Sequence, residues 1–251
     1  MVPGPRPVEE VSVGALLVVL AAVVVIGLVV GLRRAEERTF TFAEPVRRAE
    51  VDLRAGGVSF TASDGPVTVH RRIRWALNRP TTSERVEEGV LRVEADWEGL
   101  RLPGGDVTYR VEVPAEVDVR AWTGAGAVGV EGLRGDVDIR TQVGQVDLVN
   151  LGGHVRATTQ AGKVQGTGLA ARRVEVRSSA GAVSLAFQVP PDRVEARTNA
   201  GSVDLVVPDQ RYAVEADSSA GRTIVELVGD PTAPRRLVAH SNAGQVRVRR
   251  H

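Results

Sequence analysis

A short phrase recurs through the second half of this chain and constrains its architecture more than any other feature. RTNAGSVDLV, residues 197–206, is a hydroxyl residue, a small polar step, a glycine and then an alternation of apolar with polar residues. Variants begin at Thr123 (TGAGAVGV), Thr141 (TQVGQVDL), Thr159 (TQAGKVQG), Ser178 (SSAGAVSL), Ser218 (SSAGRTIV) and Ser241 (SNAGQVRV). With Thr198 included, the starts are separated by 18, 18, 19, 20, 20 and 23 residues. Each unit carries one strand after its glycine, as in Val146 and Leu148, and another before the next hydroxyl, as in Val174 and Val176. Both have the period of two that defines a strand. Two short strands cannot close a core, so the units must stack on their neighbours.

The expectation is therefore an all-β fold built as a parallel β-helix-like solenoid of 18–20 residues per coil. Gly126, Gly144, Gly162, Gly181, Gly201, Gly221 and Gly244 occupy the corners, where the chain needs positive φ or a close backbone approach. AGGVSF at residues 55–60 keeps a degenerate corner and carries the repeat back toward residue 45. Glu175, Glu195 and Glu215 fall at equivalent positions, followed two residues on by Arg177, Arg197 and Asp217. In-register stacking would place like charges about 4.8 Å apart and require the adjacent column to offset them. That cost keeps an antiparallel β-sandwich open as the alternative fold.

The first half of the chain divides at its N-terminus. Residues 1–10 form a tail, and residues 11–32 (VSVGALLVVLAAVVVIGLVVGL) contain no charge. At about 1.5 Å per residue the stretch matches the roughly 30 Å hydrocarbon core of a bilayer, so a single transmembrane helix is expected. Arg33 and Arg34 flank it. Residues 33–44 read as a polar juxtamembrane connection and 45–251 as the β-strand-repeat domain, divergent over 45–122 and regular over 123–251. Within the divergent part VRRAEVDLR, GVSFTAS, GPVTVHRRIRW, VLRVEAD, DVTYRVEVP and VDVRAW alternate as strands.

Composition excludes more than it selects. Thirty-two basic and 31 acidic residues leave a net charge of +1, which offers no overall field for a nucleic acid. The absence of cysteine removes disulfides, thiolate metal sites and cysteine nucleophiles. His70, His154, His240 and His251 are isolated from metal-ligand spacings, and neither a nucleophile elbow nor a phosphate-binding loop is present. Asp136 with Asp138, or Asp147 with Asp204, could serve as paired glycosidase carboxylates on a β-helix face; solvated outward positions are the simpler reading. Catalytic, metal and cofactor-binding residues are thus all expected to be none.

Residues 109–155 (YRVEVPAEVDVRAWTGAGAVGVEGLRGDVDIRTQVGQVDLVNLGGHV) run through Val-Pro ahead of a strand, then T-G-x-G-x-V, G-L-x-G-x-V and T-x-x-G-x-V. This succession resembles a bacterial β-strand-repeat family of adhesin-like envelope domains, a domain of unknown function, and the resemblance covers roughly residues 45–251. It implies an all-β repeat domain, often membrane-tethered, without enzymatic activity, cofactors or catalytic residues. Some relatives carry a cysteine pair before the Val-Pro segment; here that region reads DWEGLRLPGGDVTYR.

Three functions follow as expectations. The first is a membrane-anchored, non-enzymatic envelope scaffold or adhesin-like protein that binds a partner protein or wall polymer. The others are a cytoplasmic membrane-tethered regulator and a polysaccharide-active β-helix enzyme. The resemblance and the short N-terminal tail put the domain outside a cell membrane crossed once. Arg33, Arg34 and Arg38 argue for the opposite side through the positive-inside rule. Oligomeric state is left open.

Overall fold

Period-two alternation dominates the chain from residue 45 onward, and the computed structural model, which describes residues 34–76, 78–97 and 105–251, turns most of the described part into strands joined by turns. The expected membrane helix at 11–32, with Arg33, lies outside the described residues. Among the described residues no helix is long and apolar enough to cross a membrane.

Seven strands precede the regular units: β1 (Arg34–Phe42), β2 (Arg48–Leu53), β3 (Gly57–Ala62), β4 (Val67–Trp75), β5 (Thr81–Glu87), β6 (Val90–Asp96) and β7 (Asp106–Val113). The units supply β8 (Asp118–Ala125), β9 (Val128–Glu131), β10 (Val137–Val143), β11 (Val146–Val149), β12 (Val155–Ala161), β13 (Val164–Leu169), β14 (Arg173–Ala180), β15 (Val183–Phe187), β16 (Arg193–Ala200) and β17 (Val203–Val207). The chain ends with β18 (Ala213–Ala220), β19 (Thr223–Val225), β20 (Arg236–Ala243) and β21 (Val246–Arg250).

They assemble into two mixed sheets, which do not close into a barrel. The first sheet has eleven strands in the order β1-β4-β7-β3-β9-β11-β13-β15-β17-β21-β19, and the second has ten in the order β18-β20-β16-β14-β12-β10-β8-β2-β6-β5. Every unit gives one strand to each sheet. Pairing between units is parallel and in register: Val137 lies between Val119 and Val155, and Val146 between Val128 and Val164. Among the described residues, antiparallel pairs are confined to β1 with β4, β4 with β7 and β5 with β6. Alternate residues therefore point between the sheets in layers; Ile139, Val146, Leu148, Val176, Val183 and Leu185 are fully buried there. Each such side chain contributes roughly 1.5–3 kcal/mol relative to exposure.

The recurring phrase has a physical explanation at the corner between the sheets. The carbonyl of one corner glycine faces the Cα of the next along the stack, in the series Gly56, Gly126, Gly144, Gly162, Gly181, Gly201, Gly244, Gly221. A Cβ at any of the last seven would come well within 3.0 Å of that oxygen. Five of the seven corners named from sequence also have positive φ between 144° and 154°, whereas Gly144 and Gly221 do not. At those two the close approach alone excludes a side chain. The hydroxyl residue of the phrase supplies a second bond at the same corner. Thr123, Thr198, Ser241 and Ser218 donate to the carbonyls of Gly56, Gly181, Gly201 and Gly244 at 2.6–3.2 Å. The equivalent hydroxyls of Thr141, Thr159 and Ser178 are buried without a partner.

The two ends depart from the sequence reading. The last unit does not stack after the Ser218 unit but inserts before it, so β20 pairs with β16 on one side and β18 on the other. The interior residues explain the exchange: Leu237, Ala239, Val246 and Val248 are fully buried. Their counterparts Val214, Ala216, Thr223 and Val225 form a smaller, more polar layer that tolerates the exposed end. The connection across residues 226–235 returns the chain over that end. At the other end, the residues expected as the 33–44 connection include strand β1, and the unrecognised β5 forms a hairpin with β6 through Glu88 and Gly89, both at positive φ.

Candidate functional site

Outward positions of the second sheet form charged columns, because in-register stacking repeats each strand position at the strand spacing of about 4.8 Å. Glu175 and Glu195 are neighbours in one column, as the sequence spacing implies. Glu215 is separated from Glu195 by Val238 of the inserted strand. Arg156, next to Glu175 in the same column, and the arginines of the flanking columns offset the repulsion. Arg156 bonds Glu175 at 2.7 Å, and Arg177 bridges Glu175 at 2.7 Å and Glu195 at 3.1 Å. Arg197 also pairs with Glu195, and Arg193 approaches it at 3.7 Å. A shallow groove of about 490 Å³ runs over this region toward Asp118, Asp136 and His154.

The electrostatics of the face change along the stack. The hydrogen bond from Arg156 holds Glu175 below the usual carboxylate range against its partial burial, with Arg177 and Arg197 adding attraction. Glu215 is lowered by its hydrogen bond from Arg236 and by that residue's charge. At the opposite end Asp52 is raised, first by burial and then by Glu94 and Asp96; Asp52 and Glu94 are register partners. The effect at Asp52 is local, since Glu94 and Asp96 pair with Arg85 and Arg54.

The carboxylates considered from sequence have structural partners. Asp136 accepts the His154 backbone N–H at 3.0 Å, and Asp118 accepts that of Asp136 at 3.0 Å, so this column ties one unit to the next. Asp138 pairs with Arg140 at 3.3 Å. Asp147 accepts from Gln145, and Asp204 from Arg249. Asp147 and Asp204 lie three strand spacings apart, about 14 Å, beyond the roughly 5–9.5 Å of glycosidase pairs. The four histidines are not brought together: His70 bonds Thr39 at 2.9 Å, His154 lies 4.0 Å from Asp136, His240 lies 3.4 Å from Asp217, and His251 ends the chain. Among the described residues no group of three metal-binding side chains exists. Of the two arginines expected from sequence to flank a membrane span, Arg34 opens β1 at an exposed position.

A buried polar cluster in the N-terminal end went unrecognised. Arg71 follows Val67 and Val69 on the inward face of β4 and is only 4% exposed. It donates to Glu84 at 2.9 and 3.1 Å, to Glu36 at 2.9 Å and to Thr82. The fully buried Tyr109 hydroxyl donates to Glu84 at 2.7 Å. Strict alternation in VTVHRRIRW was the available signal, since it places an arginine where a core residue belongs.

Burial, followed by the charge of Glu84, pushes the Tyr109 phenol far above its ordinary range. Burial also raises Tyr212, whose hydroxyl donates to the Pro208 carbonyl at 3.1 Å. A raised acid holds its proton more tightly in the folded state, so its stabilisation is complete below the unfolded tyrosine pKa of about 10 and is lost as pH rises beyond it. Alkaline titration should therefore show phenolate absorbance developing together with loss of β circular dichroism. Ionisation of both tyrosines near pH 10 in a folded protein would refute the coupling.

No family model and no curated protein matches the chain. Among solved structures it is similar to a candidate cell adhesion protein from Clostridium sporogenes, at 11% identity over 87% of this chain and 100% of that one, with TM-score 0.42. A candidate adhesin from Parabacteroides distasonis is 14% identical over 87% and 97% of the two chains, with TM-score 0.38. A candidate lipid-binding protein from the same species is 12% identical over 87% and 97%, with TM-score 0.32.

Proposed function

We propose that this chain is a membrane-anchored, non-enzymatic envelope scaffold of adhesin-like type, in which a β-solenoid presents the charged face of its second sheet to a partner protein or wall polymer. The observation that carries the reading is the in-register column of exposed charge on that face. Such columns form an extended, regular surface rather than an enclosed cavity, and regular surfaces suit extended partners. Of the aspartates that a polysaccharide-active enzyme would need, Asp136 ties units together, Asp138 and Asp204 are in ion pairs and Asp147 is held by Gln145, which supports the non-enzymatic reading.

Anchoring rests on the uncharged stretch 11–32, and strand β1 begins two residues beyond it. The domain then faces away from the cytoplasm, with its N-terminal end next to the bilayer. A cytoplasmic tethered scaffold is the second reading, favoured by Arg33, Arg34 and Arg38. Because the chain has no cysteine, Gln188→Cys at an exposed turn provides a single reporter thiol. A membrane-impermeant maleimide should label it in intact cells. Labelling only after permeabilisation would replace the envelope reading with the cytoplasmic one.

A further inference from the structure

From charge placement on the second sheet, we infer that its arginine-rich end is a binding site for a linear polyanion bearing phosphate or carboxylate groups. Arg173, Arg193 and Arg236 are register partners on β14, β16 and β20, forming a column of guanidinium groups at the starts of three adjacent strands. Arg172 and Arg235 precede two of them, and Arg156, Arg177 and Arg197 stand on the same face. These eight arginines share four carboxylates: Glu175, Asp192, Glu195 and Glu215. Glu195 alone serves Arg177, Arg193 and Arg197. Arg172 and Arg173 are exposed and have no carboxylate partner among the described residues.

Neutralising the Glu175–Glu195 column would need far fewer cations, so offsetting that column does not account for the cluster. Arginine stacked on arginine is unfavourable unless something negative lies across it. The guanidinium geometry matches phosphate or carboxylate through paired N–H donors. The column runs along the stack, which suits a chain of anions more than a single small one.

Location favours a polymer over the bilayer that anchors the protein. In the second sheet β14 lies six strand spacings from the β5 edge, roughly 29 Å. That edge belongs to the same end as β1, where the chain leaves the membrane. The carboxylates that lie between offer no arginine column of this kind: Glu94 and Asp96 are paired with Arg85 and Arg54.

The inference rests on the reading of this face as the binding surface, and it is tested with the full chain in zwitterionic nanodiscs. Long-chain polyphosphate and polygalacturonate are the probes, with dextran as the neutral control. Both polyanions should bind and dextran should not. Arg173→Gln/Arg193→Gln/Arg236→Gln should weaken binding at least about tenfold and make the log K against log salt slope shallower by about 2. Arg173→Gln alone breaks no ion pair and should lose about two- to threefold with an unchanged melting temperature, separating recognition from folding. Asp52→Asn should not weaken binding. Equal affinity for the triple variant overturns the inference, as does preference for duplex DNA or for phosphatidylglycerol vesicles over both polymers. A domain labelled from outside that binds neither polyanion removes this inference alone; polyanion binding by an inward-facing domain removes only the envelope reading.

Discussion

Replacing Gly201 with valine should destabilise the repeat domain by about 2–6 kcal/mol. Two costs combine. The corner φ of 144° lies in a region used essentially by glycine, where another residue costs about 1–3 kcal/mol and a branched one is at the upper end. The added Cβ also meets the carbonyl oxygen and carbon of Gly181 and the amide of Ala182, all backbone, so the conflict must be relieved by moving the adjoining unit. Overpacking of this kind adds about 1–3 kcal/mol. The inserted last unit determines where the damage spreads. Gly201 adjoins Gly181 on one side and Gly244 on the other, so amides of β14, β15, β20 and β21 should lose hydrogen-exchange protection. Amides of β8 and β9 should retain most of theirs, since each unit touches only its neighbours. Ser202→Ala, at the exposed next position, should stay within about 0.5 kcal/mol. Equal tolerance of both changes, or uniform loss of protection, would refute the stacked-corner explanation.

How far the fold was legible depended on whether local pattern and stacking agreed. The glycine of each phrase meets the corner carbonyl of the adjoining unit, and in four phrases the hydroxyl bonds such a carbonyl as well, so repetition exposed the corners without any alignment. Stacking order was different. Nothing local in SSAGRTIV distinguishes an interior unit from an end unit; the distinction lies in the comparison of Val214, Ala216, Thr223 and Val225 with Leu237, Ala239, Val246 and Val248. Only the more apolar layer gains fully from being enclosed on both sides. Strands β1 and β5 were missed because, at the edges of their sheets, they bury little and show weak alternation. The charged face was partly visible: the equivalence of Glu175 with Glu195 was legible, but the sharing of Glu195 among three arginines required the register. Arg71 was legible only to a strict count of alternation, because a neighbouring Arg72 and Arg74 make it look like one more surface charge.

Truncating Arg71 should have the other large effect. Arg71→Leu leaves Glu84, whose side chain is 5% exposed, without its cation inside the N-terminal end, and removes one of the three arginines that pair with Glu36 on β1, the only one of them that is buried. Breaking a buried pair by removing one partner typically costs about 3–5 kcal/mol, because the remaining charge stays desolvated. The loss should appear as a lower denaturant midpoint and as early exchange of the amides in β1 and β5, the strands that carry Glu36 and Glu84. Tyr109 cannot substitute for the arginine, since its hydroxyl already donates to Glu84 and carries no charge. In a Tyr109→Phe background, which removes the hydroxyl that Glu84 accepts, Arg71→Leu/Glu84→Leu removes both members of the pair and should recover most of the lost stability, as apolar replacement of whole buried pairs commonly does. Arg72→Leu is the surface comparison: its partner Glu37 is well exposed, and exposed pairs contribute at most about 1 kcal/mol. If Arg71→Leu proves as mild as Arg72→Leu, or if the double replacement is worse than the single one, the cluster does not hold β1 to the rest of the domain. Intact β1 protection in Arg71→Leu would lead to the same conclusion, leaving β1 held by its backbone pairing with β4 and by the packing of Phe40 and Phe42 against the core.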